Sequence, residues 1–238
     1  PRFPDLGWGL ARLISVLLAG YLVWILASLE LIRFRAVWCI ASMSVVAAAA
    51  FAMSRRQQLK RCVRVRRVRF IAAEGAFWSV FAIFLLFRFI NPDSWHPLWG
   101  GEKPMEFAHI NALLRSAHFP PYDPWFAGGY VNYYYYGSYL IAFLIKLTGI
   151  PSEVAFNLAQ PTVIALIGSA AYSVASAIAK DLSGKRSAIS GGIAGAFLMV
   201  GIGNLDTAVR FFRGLPEVAT PDFFGWTWAA SRAITGGI

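Results

Sequence analysis

Runs of about twenty apolar residues recur along this 238-residue chain, and they constrain its fold more than any motif does. A bilayer core about 30 Å thick is crossed by about 20 residues of α-helix. Runs of this kind cover roughly residues 13–32, 36–53, 70–90, 154–179 and 187–200, the third interrupted by Glu74. A sixth, 133–150, is apolar enough to cross but short, and it carries Lys146. Composition agrees: 58% of the residues are hydrophobic and only 14% charged, against about 25% charged in an ordinary soluble domain. Disorder requires the opposite balance of low hydrophobicity and high net charge. The expected fold is all-α, a polytopic transmembrane helix bundle, and the expected location is the cell membrane.

The net charge of +10 comes largely from one place. Arg55, Arg56, Lys60, Arg61, Arg64, Arg66, Arg67 and Arg69 lie together, and the rest of the chain carries 14 basic against 12 acidic residues. The basic character therefore gives no general case for a nucleic-acid partner, and none is expected. Lys and Arg in short loops mark the cytoplasmic side of a membrane protein, so loop 55–69 reads as cytoplasmic and also as an anchor to anionic lipid. The third run then leaves the cytoplasm, and loop 91–132 is external. If 133–150 crosses, Lys180, Lys185 and Arg186 fall outside. If it lies along the interface they fall inside, and the charge rule is better obeyed.

The two cysteines, Cys39 in an apolar run and Cys62 in the basic segment, form neither a disulfide framework nor a metal set and read as reduced thiols. Small residues at Gly168, Ala171, Ala175 and Ala179, then at Gly191, Gly192 and Gly195, predict two helices in close approach. Gly201 and Gly203 follow no strand and lack the third glycine of a dinucleotide loop, so packing or a helix end explains them better. Glu74 reads as a structural carboxylate at the cytoplasmic interface near Arg67 and Arg69, although ionisable groups in spans are often functional. The tail beyond Asp206 mixes aromatics with arginines and has an interfacial character.

The external loop holds all three histidines, His96, His109 and His118, together with Asp93, Glu102, Glu106 and Asp123. Loops beyond about 15 residues are commonly functional. Pro104 suits a first helical turn, and Phe107, Ile110 and Leu114 recur at helical spacing. A surface amphipathic helix over about 104–117 is predicted, lying along the membrane face. Glu106 and His109 share a neighbouring face of it, and Glu102 joins them if the spacing continues. Acids at a helix N-terminus also complement the macrodipole, with no further role required. The histidines lack metal-ligand spacing and read as interfacial hydrogen-bonding groups. Glu102, Glu106 and Asp123 are hard oxygen ligands of the kind Mg²⁺ or Mn²⁺ prefers, so a divalent metal is the one cofactor left open.

The stretches 100–106 (GGEKPME), 119–129 (FPPYDPWFAGG) and 132–137 (NYYYYG) closely resemble the tyrosine-rich "YYY" membrane proteins. The motif of residues 4–9 (PDLGWG), followed by a span with Trp24, is similar to that family as well. This resemblance implies that the chain is an N-terminal portion of a longer protein. It divides the chain into a helix pair with its basic loop (1–69) and the start of a catalytic-type transmembrane module (70–238).

The family in turn is similar, more distantly, to the C-type glycosyltransferases, which include protein O-mannosyltransferases, aminoarabinose transferases and oligosaccharyltransferases. That similarity implies transfer of a sugar from a polyprenyl-phosphate donor at the external face. By position Glu102 matches the catalytic or metal-binding carboxylate, with Glu106 second and Asp123 as a further metal ligand. Lys103 and Arg115 would balance the leaving phosphate. His109, Asp123, Trp125, Asn132, Tyr133, Tyr134, Tyr135 and Tyr136 would bind substrate. The implied partners are membrane lipids, the lipid-linked donor, and the rest of the chain or neighbouring subunits. The alternative expectation is a non-catalytic structural or lipid-binding subunit of a larger membrane complex.

Overall fold

The computed structural model describes residues 3–53, 67–90, 103–132, 135–184 and 186–202. In order the helices are α1 (Trp8–Ser28), α2 (Ala36–Met53), α3 (Arg67–Ile90), α4 (Lys103–Arg115), α5 (Tyr136–Thr148), α6 (Ser152–Ser183) and α7 (Ala188–Phe197), with a π-helical turn at Leu198–Ile202. Among the described residues there is no strand, only an isolated antiparallel bridge between Tyr122 and Tyr130. Helices α1, α2, α3 and α6 are long and apolar enough to cross a membrane. Their outer faces expose Leu18, Tyr21, Ile40, Ile83 and Phe87. Lipid tails are as apolar as these side chains and leave no water to be shielded from. The all-α polytopic membrane fold expected from the sequence is the one observed.

One end of the bundle is fixed by buried polar contacts. Asp5, almost fully buried, accepts hydrogen bonds from the backbone N–H of Gly7 (3.0 Å) and Gly9 (3.4 Å) at the start of α1, and from Ser173 Oγ on α6 (2.5 Å). The free N–H groups of the first helical turn are thereby satisfied inside the protein. Trp8 and Arg12 of α1 donate to Glu74 of α3, and Trp78 Nε1 donates to the same carboxylate at 3.2 Å. Glu74 is therefore the structural carboxylate expected, although its main cation is Arg12 of another helix. The start of α1, the start of α3 and the later half of α6 share this end, next to the basic segment.

Helices α6 and α7 form an antiparallel pair set by small residues. A Cβ added to Gly191 would collide with Ala179, one on Gly195 with Ala175, and one on Gly192 with Ser176 and the Tyr172 ring. This is the close approach predicted from the glycine and alanine spacing. Gly201 lies in the π-helical turn against the Phe197 ring, at a helix end as expected.

The open question about 133–150 is decided by α5. Its 13 residues rise only about 20 Å, short of the bilayer core. At its start Tyr135 accepts from Trp24 Nε1 (3.2 Å) and its ring faces Phe119 (6.4 Å). At its end Lys146 Nζ donates to the Leu114 carbonyl of α4 (3.0 Å), and Ser152 Oγ, just beyond, donates to Asn111 of α4 (3.0 Å). The start of α5 thus lies by Trp24 and Phe119 and its end by α4, both at the end of the bundle opposite the start of α3, and α5 dips in without crossing. Helix α6 starts at that same end and runs back, which puts Lys180 and Arg186 with the basic segment, as the charge rule favours.

Candidate functional site

The end opposite the basic segment is built from three pieces: α4, the stretch 116–132, and the α1–α2 connection. A core of Phe34, Leu113, Phe119, Tyr139 and Phe143 holds them together. The Phe34 ring packs on Phe119 (5.1 Å) and Tyr139 (5.4 Å), and its N–H donates to the Ala117 carbonyl at 2.7 Å. The Tyr139 hydroxyl, fully buried, donates to the Gly20 carbonyl at 2.7 Å, pinning α5 to α1.

Over this core the proline-rich stretch forms a compact lobe. The Phe119–Pro120 bond is cis. Asp123 Oδ1 accepts from the N–H groups of Trp125 (2.8 Å) and Phe126 (3.1 Å), and the Asp123 N–H donates to the Gly129 carbonyl (3.0 Å). A carboxylate capping its own turn in this way is the ordinary Asx geometry. The Tyr122 and Tyr130 rings stack at 4.7 Å, and the hydrogen bond between their hydroxyls raises the pKa of Tyr130.

Between the lobe, α4 and the α1–α2 connection lies a cavity of about 850 Å³. Its polar lining includes Glu30, Asn111, Arg115, Ser116, His118, Asp123 and the two stacked tyrosines. Glu30 reaches it through an unusual helix end. The N–H groups of Glu30 and Leu31 donate to the carbonyls of Ala27 (3.2 Å) and Leu26 (3.0 Å), a Schellman closure whose C′ residue is Glu30 at φ 58°. That position normally belongs to glycine, because a side chain there is strained. His118 Nδ1 is buried with no hydrogen-bond partner among the described residues, and such groups are rare enough to need a reason.

A second, smaller pocket of about 240 Å³ adjoins the cavity and shares Arg115, Ser116 and Ala117 with it. Its other polar side chains are Arg33, Arg35 and Lys146, and among the described residues no carboxylate lines it. Lys146 also stands over the Phe34 ring (5.5 Å) while donating to the Leu114 carbonyl in the last turn of α4.

Of the site residues predicted from sequence, Arg115 and Asp123 line the larger cavity. Glu106 is exposed and does not. It lies nine residues from Arg115 on α4, about two and a half turns, which puts the two on opposite sides of the helix. His109 faces the Trp125 ring edge-on at 5.8 Å, and Asn132 is exposed. Lys103 is the first residue of α4. Tyr135 and Tyr136 pack on Trp24 of α1, away from the cavity. Glu102, Tyr133 and Tyr134 lie outside the described residues, as do Asp93, His96 and Cys62. The described residues hold no group of three metal-ligating side chains. Asp123 spends one oxygen on its own turn. Glu30, Asn111, Ser116, His118, Tyr122 and Tyr130 also line the cavity and were not selected from the sequence. The histidine was visible as one of three in the loop, whereas Glu30 sat at a span end with no motif around it.

A search of curated proteins and a search of solved structures each returned no match. The family model described as "Uncharacterized membrane protein (DUF2298)" matches residues 18–238. That range takes in every helix from the middle of α1 onward and the whole lobe and cavity, and the chain belongs to this family of membrane proteins.

Proposed function

We propose that this end of the bundle is the site of a membrane-embedded glycosyltransferase that takes a sugar from a polyprenyl-phosphate donor at the external face. The observation that carries the proposal is the cavity of about 850 Å³, whose lining includes Glu30, Asp123, His118 and Arg115 beside the apolar bundle. In such a transfer the acceptor oxygen bonds to the anomeric carbon, and the carbon–oxygen bond to phosphate breaks with its electron pair leaving on phosphate. A carboxylate takes the acceptor proton, and Arg115 balances the phosphate charge by paired hydrogen bonds. Glu30, Asp123 and Glu102 are the candidate bases, the last on the strength of the family resemblance alone.

The test is full-length protein in proteoliposomes with mannosyl and glucosyl polyprenyl phosphates, following release of sugar to any acceptor, water included. Loss of a general base lowers the rate by about 10²- to 10⁴-fold, so a drop of that size is expected in at least one of Glu30→Gln, Glu102→Gln and Asp123→Asn. Unchanged transfer in all three overturns the assignment. A second reading, a lipid-binding or docking subunit, is favoured by the exposed aromatic rings of the lobe, Tyr122, Trp125, Phe126 and Tyr130. Absence of transfer from the wild type, together with membrane or subunit binding that is lost when Trp125 and Phe126 are replaced by serine, would establish that reading.

A further inference from the structure

We propose that the smaller pocket, walled by Arg33, Arg35, Arg115 and Lys146, is a binding site for a phosphate group. Three separate elements bring these cations together: the α1–α2 connection, the end of α4 and the end of α5. Among the described residues Arg33, Arg35 and Arg115 form no ion pair, since the two pairs recorded are Arg12 with Glu74 and Lys180 with Asp181. Gathering four like charges raises the local positive potential, and an anion relieves it. The α4 C-terminus opposes anion binding with about half a negative charge. Lys146 already caps that terminus, and three full positive charges remain.

Membrane orientation does not explain these arginines. Orientation signals gather cations on one side, and Arg67 and Arg69, the described part of the dense basic segment, begin α3 at the other end of the bundle. Arg33 and Arg35 flank the buried Phe34, whose backbone bond to Ala117 fixes the connection. The backbone that carries these two exposed arginines is therefore fixed at the rim of the pocket. Guanidinium forks match phosphate oxygens two at a time. Because Arg115 borders both pockets, a phosphate seated here lies beside the larger cavity. Its identity as the donor's phosphate rests on the transferase reading, but the binding site itself does not.

The chemistry suits free phosphate and a lipid phosphate headgroup equally, and two arms separate them. Full-length protein is placed in phosphatidylcholine nanodiscs and titrated with inorganic phosphate by calorimetry. In the second arm the nanodiscs contain phosphatidic acid, and retained lipid is counted by native mass spectrometry. Losing charge-assisted hydrogen bonds from two arginines weakens binding by about tenfold or more. Wild type is expected to bind in at least one arm, with that loss in the double variant Arg33→Gln, Arg35→Gln and no change in Arg186→Gln, a charge control at the other end. Binding in the phosphate arm identifies free phosphate as sufficient, and binding in the lipid arm alone identifies a headgroup. No binding by wild type in either arm, equal binding by the double variant, or an equal loss in Arg186→Gln overturns the site. Phosphate binding without sugar transfer would overturn the transferase reading and leave this pocket standing.

Discussion

Glu30 offers a test in which the sign of the effect separates two structural accounts. Its φ of 58° at the end of α1 belongs to the left-handed region, where a side chain costs about 1 kcal/mol or more relative to glycine. Replacing Glu30 by alanine removes the carboxylate and keeps the strain. Replacing it by glycine removes both. If Glu30 were instead an ordinary residue of a continuing helix, alanine would be the more stable of the two by about 1 kcal/mol. The structure therefore predicts that Glu30→Gly is more stable than Glu30→Ala by about 1 kcal/mol, roughly fivefold in the unfolding equilibrium. The two accounts differ by about 2 kcal/mol in all. Because both variants lose the same charge, its electrostatic contribution cancels in the comparison. Reversible unfolding by sodium dodecyl sulfate in mixed micelles, followed by tryptophan fluorescence, measures the difference. A Glu30→Ala protein as stable as Glu30→Gly, or more so, would refute the assigned helix end and with it the route by which Glu30 reaches the cavity.

At the α6–α7 contact, Gly195→Val should destabilise the bundle by about 2 kcal/mol in the same assay, since overpacking a tight interface costs about 1–3 kcal/mol. By contrast Gly75→Ala, with nothing within 4 Å of the added carbon, should be neutral or stabilising. The course of α5 predicts sidedness: with Cys39 and Cys62 replaced by serine, Arg186→Cys should react with an impermeant maleimide from the side of the basic segment and Asn132→Cys from the opposite side. Labelling of both from one side would mean that 133–150 crosses after all.

The membrane-spanning helices were legible because their signal is local. Length and apolarity set the spans, Pro104 with the spacing of Phe107, Ile110 and Leu114 set α4, and small residues set the α6–α7 contact. Glu74 was also recognisable as structural, because the cost of a lone carboxylate in lipid demands a cation nearby. Its main cation, Arg12, lies 62 positions away, so no local pattern named it. The site was less legible for the same reason. Periodicity put Glu106 and His109 on one face of α4 but did not say which face meets the cavity. That depended on Ile110 and Leu113 turning into the core, which carries Arg115 to the cavity side. The tyrosine run drew attention as a ligand surface, yet Tyr135 and Tyr136 met Trp24 first.

By itself the sequence determined that the chain is a helical membrane protein, which end carries the basic segment, and which loop holds the histidines. These follow from hydropathy and charge, properties that each segment has before it meets any other. Only the tertiary structure decided that α5 returns without crossing, that Glu30 turns into the cavity, and that four cations from distant elements share one pocket. Those outcomes depend on which helix ends meet, and partners such as Lys146 and Leu114, 32 positions apart, meet only when the chain is folded.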